Sequence, residues 1–275
     1  MTDLLSLCAQ EIHAHDHDQF LCGLFVSEDH REAFYALQIF YRETARIRDM
    51  VTEPHMRLMR LQWWRDLIAD IYAGRAPNVE TGMHKEIIAA LKARNIEQDL
   101  FDRYFNARQF DMEDRVHDDM ASLRRYSEAT GGTIAQIKEQ AIGLSPTDAA
   151  LKVGAAGTLA GMLQTIAFQA RHNRCKIPTA LVKKHQLSLK SVMELTCTAA
   201  LKGCVKEIVA ECCKLIKEAR ECKVETNPVL LSTIAIEDYL TRLEKVGFDP
   251  FNPNLGNGRL IKQIKLGFKA WRGSY

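Results

Sequence analysis

Apolar side chains return along this chain every third or fourth residue, and almost nowhere do they alternate with polar ones in the two-residue rhythm of a strand. That period predicts helices at about 3–14, 29–50, 54–73, 82–93, 97–115, 119–142, 146–171, 178–184, 189–223, 229–246 and 259–270. Punctuation supports two of the boundaries. Ser145-Pro146-Thr147-Asp148 places a proline in the first turn of a helix, where its missing N–H costs nothing, and Gly74-Arg75-Ala76-Pro77 stops the helix before it. Gly154, Gly157 and Gly161 are spaced for close contact between helices, which in a chain without a membrane span means tight packing in a bundle. No repeat, low-complexity tract or linker interrupts the pattern, so the expectation is one all-α domain over residues 1–275.

The last of these helices has two faces. Leu260, Ile264, Phe268 and Trp271 recur on one side, and Lys262, Lys265, Lys269 and Arg272 on the other. On one reading the apolar side docks on the bundle and leaves the lysines in water. On the other, residues 259–272 lie in the headgroup region of an anionic membrane, with the lysines at its surface and Trp271 at the interface.

Composition narrows the field. Apolar residues at 47% and charged residues at 26% are enough to build a core, which excludes a disordered chain. A net charge of +2 is too mild to propose nucleic acid as a partner. No apolar run reaches the roughly 18 residues of a membrane span. The opening MTDLLSLCAQEI carries Asp3 and Glu11 and lacks an early basic region, so neither a signal nor a transit peptide is read there. Eight cysteines without a C-x-x-C pair are expected to be reduced and packed as small apolar groups, in a cytoplasmic protein. Five of them fall between Cys197 and Cys222, and Cys197 and Cys204 are expected to share a helix face.

Four blocks in order then resemble the squalene/phytoene synthase family. They are Asp16-His17-Asp18-Gln19-Phe20 with Leu24-Phe25; Arg31 with Ala36-Leu37-x-x-Phe40; Tyr126-Ser127-Glu128-Ala129-Thr130-Gly131; and Leu163 through Arg174 to Ile177-Pro178. The resemblance covers about residues 16 to 180 and implies an isoprenoid-synthase-like helical bundle. In that family, two aspartate-rich segments hold Mg²⁺ on a prenyl diphosphate so that it can leave. Here the first segment's leading aspartate falls on Ala45, and only the trailing one survives, as Asp49. The second segment's aspartates fall on Thr165 and Gln169, its glutamate on Phe168, and its arginine and asparagine on Gln164 and Gly161. Mg²⁺ wants a shell of hard oxygens, and one carboxylate cannot supply it.

A narrower resemblance runs through Glu43-x-Ala45-x-x-Arg48-Asp49-x-Val51-x-Glu53-Pro54 and Arg60-Leu61-Gln62-Trp63-Trp64-Arg65. It is to the branch of the family that includes a mitochondrial complex I assembly factor and its alphaproteobacterial relatives, regarded as non-catalytic; that branch often keeps an arginine where this chain has Gln164. The resemblance implies a degenerate family member that assembles or binds protein partners, respiratory complex subunits among them, and can hold an isoprenoid or lipid in the old cavity. The alternative is a Mg²⁺-dependent transferase condensing two prenyl diphosphates, and a third is a peripheral carrier of polyprenyl lipids on the inner face of the membrane. No cofactor is expected under the first reading, and Mg²⁺ enters only under the second.

Arg31, Arg46, Asp49, Tyr126, Gln164 and Arg174 are the candidates for a residual pocket or anion site, with Asp49 expected to pair with Arg46 or Arg174 in place of a metal. Trp63, Trp64 and Arg65 are candidates for contact with a partner, since adjacent indoles cannot both enter the core from one helix face. Three other clusters carry blander expectations. Asp66 and Asp70 stand one turn apart and line a solvated face. Asp111, Glu113, Asp114, His117, Asp118 and Asp119 form a solvated capping loop. His13, His15 and His17 belong to an exposed polar segment, although His13 and His17 share a face on which zinc could sit.

Overall fold

The computed structural model describes residues 5–75, 79, 82–92, 94–256, 273 and 275. The two-faced segment with Lys262, Lys265, Lys269 and Trp271 lies outside them. Among the described residues every regular element is helical.

The chain opens with α1 (Leu7–His15), capped by the Ser6 hydroxyl, and α2 (His17–Gly23), capped by the Asp16 carboxylate. Because a capping residue serves both elements in the His15–Asp16 step, α2 is missing from the sequence reading, where this stretch looks like a polar tail. α3 (Glu28–Met50) follows, then α4 (Pro54–Tyr72), α5 (Gly82–Lys92) and α6 (Gln98–Met112). α3 is the axis of this half. Ala33 to Phe40 are buried all round, and Phe40 meets Trp64 from α4 and Phe101 and Phe105 from α6 edge-on, at 5.2 to 5.8 Å between ring centres.

α7 (Met120–Ser127) passes through a π-turn at Glu128–Gly132 into α8 (Thr133–Ala141). α9 (Asp148–Gln164) and α10 (Ile166–Arg171) are divided at Thr165, whose hydroxyl bonds back to the Gly161 and Met162 carbonyls. α11 (Thr179–Lys184) and α12 (Leu189–Met193) are short, α13 (Ala199–Glu221) is long, α14 (Ser232–Lys245) packs beside it, and a 3₁₀ turn at Pro253–Gly256 ends the described run. The expected continuous helix 189–223 is therefore two helices. Leu195 takes a left-handed φ of 53° between them, and the Thr198 hydroxyl starts α13 afresh.

α9 joins two cores. Ala149, Ala150 and Val153 belong to the core around α3, while Ala155, Ala156, Leu159 and Leu163 face Leu201, Ile208 and Leu215 of α13. Cys204 and Cys212 are buried there as expected, their thiols 3.5 and 3.1 Å from the Leu181 and Ala156 carbonyls, and all eight cysteines are free. Cys197 lies before α13 and shares no helix face with Cys204.

The glycine triplet does three different things. Gly154 lies so close to the π-turn that a Cβ there would come within 2.1 Å of the Gly131 carbonyl oxygen. Gly157 has room for one, 3.6 Å from Ile236, and Gly161 meets nothing within 4 Å. The expectation of close packing holds for Gly154 alone; the other two open onto a cavity.

Candidate functional site

The space between the two cores is a cavity of about 440 Å³, within the size range of small-molecule sites. α3, the α7–α8 column, α9 and α14 wall it. Ala45 and Asp49 of α3 face it from one side, and Gly161, Thr165 and Gln169 from the other. The positions that the resemblance assigns to the two metal-binding segments thus meet across one opening, but only one of them bears a carboxylate.

That carboxylate is taken. Asp49 Oδ1 lies 2.6 Å from Nη2 of Arg174, which stands behind it. Arg46, Tyr126 and Gln164 line the cavity as well. Arg31 does not: its Nε and Nη2 donate to the Gly23 and Val26 carbonyls, at 3.1 and 3.0 Å, and tie the α2–α3 turn together. Its place just before the buried run of α3 suits a structural clamp.

Further groups at the mouth are absent from the candidates drawn from the sequence. Arg108 is 4% exposed, donates from Nη1 to Asp111 Oδ2 (2.9 Å) and to the Tyr126 hydroxyl (2.7 Å), and from Nε to the Tyr104 hydroxyl (3.0 Å). Tyr41 and Tyr104 present their rings to its guanidinium at 5.1 and 5.3 Å. Its Nη2 is buried without a partner. The Tyr126 hydroxyl donates in turn to Asp111, and Lys176 Nζ lies 3.7 Å from that carboxylate. Burial works against the charge on Asp111, but Lys176, Arg108 and Tyr126 outweigh it and hold the carboxyl below its usual range. Asp111 is therefore part of the cavity wall, not of a solvated loop. His117 of the same cluster is buried and lines the cavity too, whereas Asp114 pairs with Arg48 and Arg57, and Asp119 caps α7.

The donors at the mouth do not fit a magnesium cluster. Asp49 is neutralised by Arg174, Asp111 is held three ways, and positions 45, 161, 165 and 169 carry no carboxylate. Arg46, Arg115 and Lys176 add positive charge where a dication would need negative. Arg174 keeps Nε and Nη1 buried and unpaired, which suits an anion better than a cation.

The remaining sequence candidates lie elsewhere. Trp64 is fully buried against Phe40 and His84, so a partner cannot touch it. Trp63 is half-buried, with its ring on His84 and Arg60 stacked over it at 4.6 Å. Arg65 donates to Asn106 at 2.7 Å, on the outer face of α4 near the exposed Met59. Asp66 and Asp70 are bonded to Gln62 and Arg75. His13 and His17 meet edge-on beside Phe20. Among the described residues no group of three or more histidine, cysteine or acidic side chains converges to hold a metal ion, and no helix is long and apolar enough to cross a membrane.

A family profile described as squalene/phytoene synthase matches residues 12–266. The chain is similar to a Mus musculus protein named NADH dehydrogenase (ubiquinone) complex I, assembly factor 6, at 24% identity over 98% of this chain and 82% of that one. Its fold is similar to that of a dehydrosqualene synthase solved with a ligand (TM-score 0.79, 14% identity, 98% and 96% coverage). It is also similar to squalene synthase HpnC from Alicyclobacillus acidocaldarius (TM-score 0.73, 19% identity, 89% and 94% coverage).

Proposed function

The chain belongs to the squalene/phytoene synthase family, and from that premise we propose that it no longer condenses prenyl diphosphates and serves as a non-enzymatic assembly or binding factor of the complex I kind. The observation that carries this reading is the ion pair of Asp49 with Arg174, which spends the one family carboxylate left at the mouth on an arginine. The similarity to a relative named as a complex I assembly factor points the same way. Protein partners, respiratory subunits among them, would meet the outer face of α4, where Trp63 and Arg65 sit near the exposed Met56 and Met59. The cavity would hold an isoprenoid or another lipid, at the inner face of a membrane or in the cytoplasm.

Two measurements test it. Purified protein incubated with Mg²⁺ and farnesyl or geranylgeranyl diphosphate is expected to give no condensation above a no-enzyme control. Turnover that chelator and Asp49→Ala both abolish would establish the enzyme instead. Affinity capture from native membranes is expected to bring down respiratory complex subunits, and to lose them when Trp63 and Arg65 are replaced by alanine.

A further inference from the structure

The cavity is polar at both ends. Its exposed lining residues, Arg46, Asp49, Arg115 and Gln164 among them, gather at one end, which is the mouth. The other end is built from the buried or half-buried Asp16, Asp18, Gln19, Gln38 and Lys138. α3 spans the distance: eleven residues from Gln38 to Asp49 make a rise of roughly 16 Å. The α7–α8 column runs the opposite way, with Tyr126 toward the mouth and Lys138 at the inner end. Between them the wall is largely apolar, with Ala45, Val153, Gly157 and Ile236.

Lys138 is 4% exposed. Its Nζ donates to Oε1 of Gln38 at 2.6 Å and of Gln19 at 2.8 Å, and lies 4.4 Å from the centre of the Phe34 ring. Those three partners use its three N–H bonds. Gln38 Nε2 donates onward to Asp16 Oδ2 at 2.7 Å, so the cation and the carboxylate balance through one amide. Burial pulls the Lys138 ammonium down to about 8 against the opposing pull of Asp16, while the two amide oxygens and the ring face around Nζ all suit the charged form.

This network orients Gln19. An ammonium only donates, so the Gln19 amide oxygen must face Lys138 and its NH₂ is left over. Gln19 lines the cavity, and among the described residues its Nε2 has no hydrogen-bond partner.

We infer that the inner end of the cavity recognises a neutral oxygen, a carbonyl or hydroxyl, on the leading end of an otherwise apolar ligand, which accepts a hydrogen bond from Gln19 Nε2. A bare hydrocarbon tip would strand that N–H away from water. A cationic tip has no lone pair to accept that hydrogen bond, and an anionic tip would meet the Asp16 and Asp18 carboxyls that line the same end. This rests on the lipid-holding reading above and adds which end chemistry the site selects.

The test uses the full chain and a matched pair of probes, dodecan-2-one and dodecane, each displacing the neutral fluorophore N-phenyl-1-naphthylamine. The ketone is expected to displace it at a concentration about tenfold lower than the hydrocarbon, the worth of one buried amide hydrogen bond gained against one stranded. Gln19→Glu keeps an acceptor for Lys138 but removes the free N–H, and Gln19→Leu removes both; in each the preference is expected to fall toward one. Equal displacement by the two probes on the unmodified protein, or a preference that survives in both variants, overturns the inference and leaves lipid holding in place. If the unmodified protein binds neither probe nor fluorophore, lipid holding falls and takes the inference with it. The comparison on the unmodified protein decides even where a variant fails to fold.

Discussion

His117 ties the cavity wall to pH. Its ring stacks on Phe110, 4.2 Å between centres and 11° from parallel, and sits 4.9 Å from Tyr126. Burial drives its pKa down to about 4, with the Asp111 charge opposing and Lys176 assisting. The fold therefore holds the neutral ring while the unfolded chain takes up a proton below about 6.5. Stability is intact above that value, is lost as pH falls toward 4, and the loss is on the order of 3 kcal/mol at most. Urea unfolding at pH 7 and pH 4.5 is expected to show this fall, and His117→Phe, which keeps the stack, to flatten it. An unchanged slope in that variant would place the acid sensitivity on other groups. At this scale the sequence was only half legible. The pairing of Asp49 with a named arginine could be read from the cations around it, and Arg174 proved to be the partner. Asp111 could not be told from its acidic neighbours, because nothing in a string of carboxylates says which one faces inward. Lys138 did leave a signal, a lone charge among Ile134, Ala135, Ile137 and Ala141 on a helix face that is otherwise apolar.

At the level of elements, the π-turn at Glu128–Gly132 and its crossing with α9 fix the cavity's width. Gly154→Ala would drive a methyl into the Gly131 backbone, which cannot swing aside as a side chain could. The expected cost is about 3 kcal/mol, or failure to fold. Gly161→Ala places the same methyl in open space inside the same helix, where alanine is the better helix former, and is expected to be neutral or to stabilise by up to about 1 kcal/mol. Thermal melts of the two variants check the contrast, and a similar loss in both would contradict this account of the crossing. Helix positions along most of the chain were legible because their apolar period is strong. The interruptions were not. Thr165 ends α9 with a side-chain bond to its own helix, and Leu195 breaks the run before α13 with a left-handed backbone; neither residue type announces a break. α2 was lost for another reason, since its seven residues are too few to show a helical period and its start rests on one aspartate cap.

For the whole molecule, two cores share α9 and leave the cavity between them, so both halves wall it. The far end of the chain reports on this body too. Tyr275 is buried, its hydroxyl donates to the Ala219 carbonyl at 2.9 Å, and Arg220 Nε donates to its carbonyl at 2.8 Å. Cutting away residues 259–275 would therefore remove an anchor on α13 along with any membrane contact. Charge reversal is the cleaner test of the two-faced segment: if it lies on an anionic membrane, Lys262→Glu, Lys265→Glu and Lys269→Glu together abolish co-sedimentation with anionic vesicles and leave the melting temperature unchanged, and if it only docks on the bundle, the unmodified protein does not co-sediment. Binding that ignores lipid charge would assign those lysines to plain solvation. The cations at the mouth bear on a different question, how readily such a site travels backward. A new carboxylate at position 45, 165 or 169 would arrive beside Arg46, Arg174 and Lys176, and the nearest of them would bind it before a dissolved dication could shed its water. Each acid added alone makes a salt bridge, not a metal ligand. On the non-enzymatic reading proposed above, a metal site at this mouth would thus need several substitutions at once, because each acid added alone meets a cation first.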